Sequence, residues 1–338
     1  MESHETSDPF THRSSHLMKS LRAGVVGVGH LGQHHARLYA ALPGSTLIGV
    51  TDQDRDRAGV IAGRHGAQAF ENLSDLLKAV DIVSVAVPTS GHYAVAKACL
   101  EAGKHVLVEK PIAVRPAEAN ELVDLAKAKG CRLQVGHSER FNPIMQVMRP
   151  QIRRPAFIEA HRMGTYSERG TDVDVVLDLM IHDLDLVLSF NPGPVEEVRA
   201  AGVPVLSSTI DIANARIQFQ SGCVANLTAS RVSLTKMRRL RVFQQDSYVS
   251  IDFQSRQGIV GRRAGNPGDK PGFAIEECKG NEEEPLKLQL ESFLNAIRTG
   301  ASPVVSGEDG AAALTVAHQV LAAIDSFVQR NAEQGARE

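Results

Sequence analysis

Three groups of residues in the 338-residue chain have types and spacings that suit chemistry. The first is Gly27-Val28-Gly29-His30-Leu31-Gly32, a G-x-G-x-x-G. Its first glycine permits a tight turn, and its second lets a pyrophosphate approach the backbone. The third lets a helix pack close to a strand, with the helix N–H groups facing the anion. The second group is Lys110, set between Glu109 and Pro111. Proline biases the residue before it away from helical torsions, so this lysine should project from an extended turn. The third lies in DVDVVLDLMIHDLDLVLSF, where Asp174, Asp178, His182 and Asp185 follow one another at helical intervals. That spacing places them on one side of a helix, with Val176, Leu179, Leu184, Val187 and Leu188 lining much of the remainder.

Three readings of the acidic stripe stay open. It can be a solvated face, a metal site built from carboxylates and imidazole, or a histidine base with a carboxylate one turn away. Nothing elsewhere supplies a further ligand set, so no metal is assigned. Moving a hydride from an alcohol to a nicotinamide requires a base for the hydroxyl proton, and a histidine of ordinary pKa, about 6.5, suits that task. A lysine ammonium can stabilise the alkoxide that develops.

The elements around these residues alternate. LRAGVVGVG reads as a buried strand ending in the glycine turn, and LGQHHARLYAAL as the helix after it. TLIGVTD, AQAF, DIVSVAV, KHVLVEK and CRLQVG continue as strands, separated by helical segments. Such a series needs right-handed crossovers and a parallel sheet covered on both faces, with ligands beyond the carboxyl ends of its strands. The glycine turn thus has the strand-turn-helix context that dinucleotide binding requires. Asp52 ends the second strand, twenty residues past Gly32. A carboxylate there suits the ribose hydroxyls and repels a 2′-phosphate, favouring NAD over NADP, although Arg55 and Arg57 stand nearby. Residues 21–140 are therefore expected to form a doubly wound α/β, cofactor-binding domain.

From GHSERFNP onward the pattern changes. AFIEAHRM, VEEVRAAGV, DIANARIQF, CVANLTAS, RRLRVFQ, YVSIDF and QGIVGRR read as consecutive strands of an open, mostly antiparallel sheet, with a helix near 172–190 and a Pro/Gly-rich loop at 264–272. This second, α+β unit is expected over 141–305, with one sheet face on helices and the other wet or covered by another copy, as a homodimer or homotetramer. Two helices close the chain, and its last residues look frayed. With 37 Lys+Arg against 39 Asp+Glu, bulk charge provides no basis for nucleic-acid or membrane binding. Cys99, Cys131, Cys223 and Cys278 have neither metal-ligand nor disulfide-scaffold spacing, which fits a reducing cytoplasm. Residues 1–20, with His4, His12 and His16, read as a disordered tail without a signal-peptide core. No run of 18 apolar residues occurs.

VGVGHLG, Asp52, VPTSGHYAVA, GKHVLVEKPIA, GHSERFNP and LDLMIHDLDLVL together resemble the Gfo/Idh/MocA oxidoreductase family across about residues 21–330. The resemblance implies a Rossmann domain, an NAD cofactor and catalytic roles for Lys110, Asp178 and His182, the last as acid/base. It implies cofactor contacts at Gly27, Gly29, His30, Leu31, Gly32, Asp52, Pro88, Thr89, His92, Glu109 and Lys110, and a final helix, 308–330, packed back on the first domain. GHSERFNP and SRVSLTKMRRLRVFQQDSYVSIDF look like the branch that oxidises the 3-hydroxyl of UDP-N-acetylglucosamine, whose keto product goes to an aminotransferase in lipid A synthesis. That likeness implies substrate contacts from Glu139, Arg140, Asn142 and Arg162 as well as Asp178 and His182. Met180-Ile181 depart from the family, where many relatives carry glycine before the histidine. The alternatives are a dehydrogenase of free sugars or inositol, an NAD-using glycosidase, and a non-catalytic NAD-binding regulator.

Overall fold

Six short apolar strands, β1 (Leu21–Val26), β2 (Ser45–Thr51), β3 (Gln68–Ala69), β4 (Ile82–Val85), β5 (His105–Val108) and β6 (Leu133–Val135), form the first sheet. The structure is a computed structural model that describes residues 20–166, 173–264 and 272–335. The expected tail with its three histidines lies outside the described residues, as does most of the expected 264–272 loop. The strands run parallel in the order β3-β2-β1-β4-β5-β6. All four residues of β4, Ile-Val-Ser-Val, are buried. A strand with helices on both faces has no wet side to keep polar.

Between them run α1 (Gly32–Ala41), α2 (Arg55–Arg64), α3 (Leu73–Ala79), α4 (Thr89–Glu101) and α5 (Pro116–Ala128). The Asp54 side chain caps α2 by accepting from the Arg57 N–H, and Asn72 caps α3 through the Asp75 N–H. Pro116 opens α5, where a missing N–H costs nothing.

After a 3₁₀ turn at Ser138–Phe141 and the short α6 (Pro143–Met148), the second unit begins. Its strands are β7 (Phe157–Met163), β8 (Val195–Val203), β9 (Ile212–Phe219), β10 (Val224–Ser230), β11 (Met237–Phe243), β12 (Ser247–Asp252), β13 (Gln257–Ala264) and β14 (Gly272–Lys279). Their order is β14-β13-β12-β11-β7-β10-β9-β8, antiparallel except for the parallel pair β7/β10. The edge strand β14 is absent from the sequence-derived list. Apart from Cys278 its residues are exposed, so it carries no inward apolar face to mark it.

Two differences concern the helices. The stretch expected as one α-helix near 172–190 is a π-helical turn, Val176–Met180, running into α7 (Ile181–Ser189). The second difference is at the C-terminus, where α8 (Pro285–Thr299) and α9 (Gly307–Gly335) follow the sheet. Both return to the first domain, not α9 alone. Leu290, Phe293 and Leu294 of α8 share a core with Val25, Tyr39, Leu47 and Val50. Arg37 pairs with Glu284 at 2.6 Å, and Gln134 donates to the Gln289 carbonyl. Helix α9 packs on α5, α7, β6 and β8, and continues to Gly335, into the stretch expected to be frayed. By length and composition Gly307–Gln329 is apolar enough to cross a membrane. Here Ala313, Leu314, Ala317 and Val320 of that segment are fully buried within the fold.

Candidate active site

The glycine turn follows β1. Gly27 has φ of +81°, a torsion that favours glycine, and a Cβ on Gly32 would collide with the Gly27 carbonyl. Beside Gly29 a Cβ would meet nothing within 4 Å, so open space faces the turn there. The first turn of α1 contains no acidic residue, and its N-cap residue, Leu31, makes no side-chain cap. An uncapped N-terminus without carboxylates next to an open glycine backbone fits a pyrophosphate. Asp52 Oδ2 accepts from the Val28 N–H at 2.7 Å, tying the end of β2 to the turn, and Oδ1 accepts from Arg57 at 2.7 Å. Burial pushes this carboxyl up, but Arg57 and the N–H groups of Asp54 and Val28 outweigh it and hold it below the usual range. Pro88 is the N-cap residue of α4 and Thr89 begins that helix, beyond the end of β4. His30 stands in the glycine turn.

Lys110 leaves the end of β5 through a cis Lys110–Pro111 bond. Its ammonium donates to the Asp178 backbone carbonyl at 2.6 Å and to Asp178 Oδ1 at 2.9 Å. This pair joins the first sheet to the π-turn that leads into α7. The wider turn sits immediately before His182, a placement common at functional sites. Met180 and Ile181 are fully buried there. His182 is partly exposed, with Nδ1 buried and lacking a hydrogen-bond partner among the described residues. Burial holds its pKa well below the ordinary histidine range, and the charges of Lys110 and Arg162 push the same way. The ring is therefore neutral at pH 7 and able to accept a proton.

Two buried supports converge on Lys110. Tyr39 Oη lies 2.9 Å from Ser84 Oγ, Ser84 Oγ 3.0 Å from His35 Nδ1, and His35 Nε2 3.0 Å from Glu109 Oε1. With the ring hydrogen on Nε2, His35 donates to Glu109 and accepts from Ser84, which accepts from Tyr39, so every hydrogen has an acceptor. Burial raises the Glu109 carboxyl, yet the His35 hydrogen bond and the charge of Lys110 bring it below its usual range. His92 is buried with its ring nitrogens 2.6 Å from the Pro111 carbonyl and 2.9 Å from that of Val87. It clamps the turn that bears Lys110. Glu109 Oε1 and the His92 ring are thus engaged by the protein, beyond the ends of β5 and β4.

The residues expected to touch substrate are also held by the protein. Arg162 donates to Asp183 at 2.7 Å and Glu139 at 3.2 Å, and is 4% exposed. Arg140 pairs with Asp185 at 2.8 Å and Asp309 at 3.5 Å. Asn142 caps α6 through the Ile144 N–H and donates to the Phe253 carbonyl. Of the four residues on the stripe, Asp178 pairs with Lys110 and His182 lies edge-on to His137. Asp174 caps its own turn through Val176 and Leu177, and Asp185 is buried against Arg140. Among the described residues no group of three His, Cys, Asp or Glu side chains is arranged for a metal ion. A cavity of about 720 Å³ lies between α5 and α9 against Gly193–Val195, away from these residues.

The oxidoreductase family with an NAD-binding Rossmann fold matches residues 21–137, and the Gfo/Idh/MocA C-terminal domain matches residues 148–248. The chain belongs to the Gfo/Idh/MocA family. It is 40% identical to the UDP-N-acetylglucosamine 3-dehydrogenase of Acidithiobacillus ferrooxidans over 93% of this chain and 100% of that one. A solved structure of that enzyme superposes with a TM-score of 0.87, covering 92% of this chain and 100% of the other. The myo-inositol 2-dehydrogenase of Thermotoga maritima is 26% identical over 88% of this chain and 94% of its own. As a Gfo/Idh/MocA protein the chain is an oxidoreductase acting on a CH–OH group with a nicotinamide cofactor.

The sequence reading missed three features of the site. His137, just past the end of β6, is buried with neither ring nitrogen partnered among the described residues, edge-on to His182 at 5.9 Å between centroids. Its place just past a parallel strand is the signal that would have found it. The Tyr39–Ser84–His35–Glu109 chain has no sequence signature, since its members come from three elements. Arg238, on β11, stands in a plain run of basic residues.

Proposed function

We propose that the protein oxidises a secondary hydroxyl of a nucleotide sugar with NAD, the 3-hydroxyl of UDP-N-acetylglucosamine being the substrate its similarity favours. The carrying observation is the Lys110–Asp178 pair, which draws the end of β5 to the helix bearing His182. Gly27, Gly29 and Gly32 hold the pyrophosphate at the start of α1, and Asp52 receives the adenosine ribose. The depressed pKa of the Asp52 carboxyl keeps it anionic, which supports NAD over NADP. When bound, the nicotinamide is the acceptor for the two electrons and the carbinol hydrogen. His182 takes the hydroxyl proton as the C–O bond becomes a carbonyl. Lys110 places its ammonium against the oxygen on which negative charge grows, and Asp178 fixes the lysine's direction. Glu139, Arg140, Asn142 and Arg162 act by shaping the wall around the sugar.

The 3-keto product is suited to an aminotransferase, in the lipid A route that the resemblance implies, and a cytoplasmic location goes with nucleotide-sugar chemistry. The open sheet face, where the rings of Phe157, Phe243 and Tyr248 lie in a row tilted against one another, is our candidate for self-association into a dimer or tetramer.

The test is absorbance of NADH on mixing protein, NAD and UDP-N-acetylglucosamine, with N-acetylglucosamine and myo-inositol run in parallel. Turnover only with the unphosphorylated compounds would replace this reading by the free-sugar one. His182→Asn should abolish turnover while NAD still binds.

A further inference from the structure

We infer that Arg238 anchors the anionic part of the substrate, gripping the phosphate or diphosphate joined to the sugar whose hydroxyl meets His182. This rests on the nucleotide-sugar reading above and assigns it a second contact point. Along β11, Leu240 and Val242 are fully buried on the face turned toward the helices. Strand side chains alternate, so Arg238 lies on that same face, two residues before Leu240, and it is exposed where the face runs out of the core. In the β7/β11 register it stands opposite Arg162. Arg162 pairs with Asp183, the residue after His182. Adjacent strands are about 4.8 Å apart, close to the breadth of one sugar ring. Its charge is felt at both His182 and Asp183.

What separates Arg238 from its neighbours is its lack of a carboxylate. Arg162 has Asp183 and Glu139, Arg140 has Asp185 and Asp309, Arg239 has Asp252, and Arg241 has Glu159. Among the described residues the Arg238 guanidinium makes no hydrogen bond or ion pair. Arg162 is 4% exposed and spends Nε and Nη2 on Asp183 and Glu139, so its charge is already balanced inside the protein, which moves the anion-binding role to the exposed Arg238. A planar guanidinium can grip two phosphate oxygens at once, and an exposed one gives up little hydration to do so.

Calorimetry on the NAD-saturated protein tests this with UDP and inorganic pyrophosphate as probes. Wild type should bind both. Arg238→Gln should weaken UDP roughly 10- to 100-fold, the worth of one charge-assisted bidentate contact, with Arg238→Lys in between and Arg199→Gln on β8 unchanged. In turnover, Arg238→Gln should raise KM for the nucleotide sugar by a similar factor while kcat stays within about threefold, the pattern of lost ground-state binding. Failure of wild type to bind either probe, or UDP affinity unaltered in Arg238→Gln, would overturn the assignment. A protein that binds UDP through Arg238 but never reduces NAD with a nucleotide sugar would leave this inference standing and defeat the proposed reaction.

Discussion

Gly136 is the most exacting position beside Lys110, and Gly136→Ala measures how tightly the support behind the lysine is built. A Cβ there would lie 2.6 Å from Glu109 Oε2, 2.7 Å from its Cδ and 2.8 Å from Oε1. Restoring an ordinary separation of about 3.4 Å moves the carboxylate back by about 0.8 Å. The 3.0 Å bond to His35 has no slack for that displacement, because the His35 ring is fixed on its other side by Ser84. Losing a hydrogen bond to a charged group costs about 1.5–3 kcal/mol, and forcing a methyl into a packed site costs about 1–3 kcal/mol more. Against this, alanine restricts the unfolded chain and returns about 0.4–1 kcal/mol. The net expectation is destabilisation of about 2–5 kcal/mol, read from urea unfolding. If the cause is the carboxylate, the same substitution in a Glu109→Ala background should cost less than about 0.5 kcal/mol, since the obstruction has gone. A single Gly136→Ala change within 0.5 kcal/mol of wild type would refute the argument, as would an equal cost in both backgrounds.

Three further outcomes are expected. Lys110→Met should cut turnover about 10²- to 10⁴-fold with NAD affinity nearly unchanged, checked by steady-state rates and fluorescence titration of the cofactor. Asp211→Ala should destabilise by about 3–5 kcal/mol, because it removes the carboxylate that neutralises the buried Arg231 guanidinium and that accepts from the N–H groups of Val205, Leu206 and Ser207; a loss under 1 kcal/mol would show that the loop re-forms without it. His137 and His182 are held neutral by burial, whereas unfolded histidines protonate near pH 6.5. The unfolded state then binds more protons, so the stability these rings contribute is complete above about pH 6.5. It falls as pH drops below that value, by up to about 1.4 kcal/mol per pH unit for each. Urea midpoints at pH 7.5, 6.5 and 5.5 should show this slope, and His137→Phe should flatten it.

The first domain was legible because its signals are local. The strand-turn-helix around Gly27–Gly32 and Asp52 at the end of the second strand each declare themselves within a few residues. Lys110, Asp178 and His182 could be picked out because each stands at an element end or at a helical interval. What the sequence hid is non-local. The π-turn at Val176–Met180 alters one hydrogen-bond register without changing the apolar pattern. Whether Arg162 or Arg238 is free for a ligand depends on which carboxylates fold against them, and Asp183 and Glu139 approach Arg162 from different segments. Strand β14 carries no buried face and so no period-two contrast. Helix α8 is amphipathic wherever it packs, and nothing in its own residues says that the partner is α1.

That return of α8 has a bearing on how the chain is made. Tyr39 and Phe293 share a core but are separated by the entire second sheet. At roughly 5–20 residues per second of synthesis, the nascent first domain waits tens of seconds for the helix that closes over Val25, Leu47 and Val50. During that interval one flank of the nucleotide fold is an uncovered apolar surface, and the second sheet has all its own strands before α8 is made. The order of completion on the ribosome is thus inverted relative to the order of the sequence, and the earliest residues translated are among the last to be sealed.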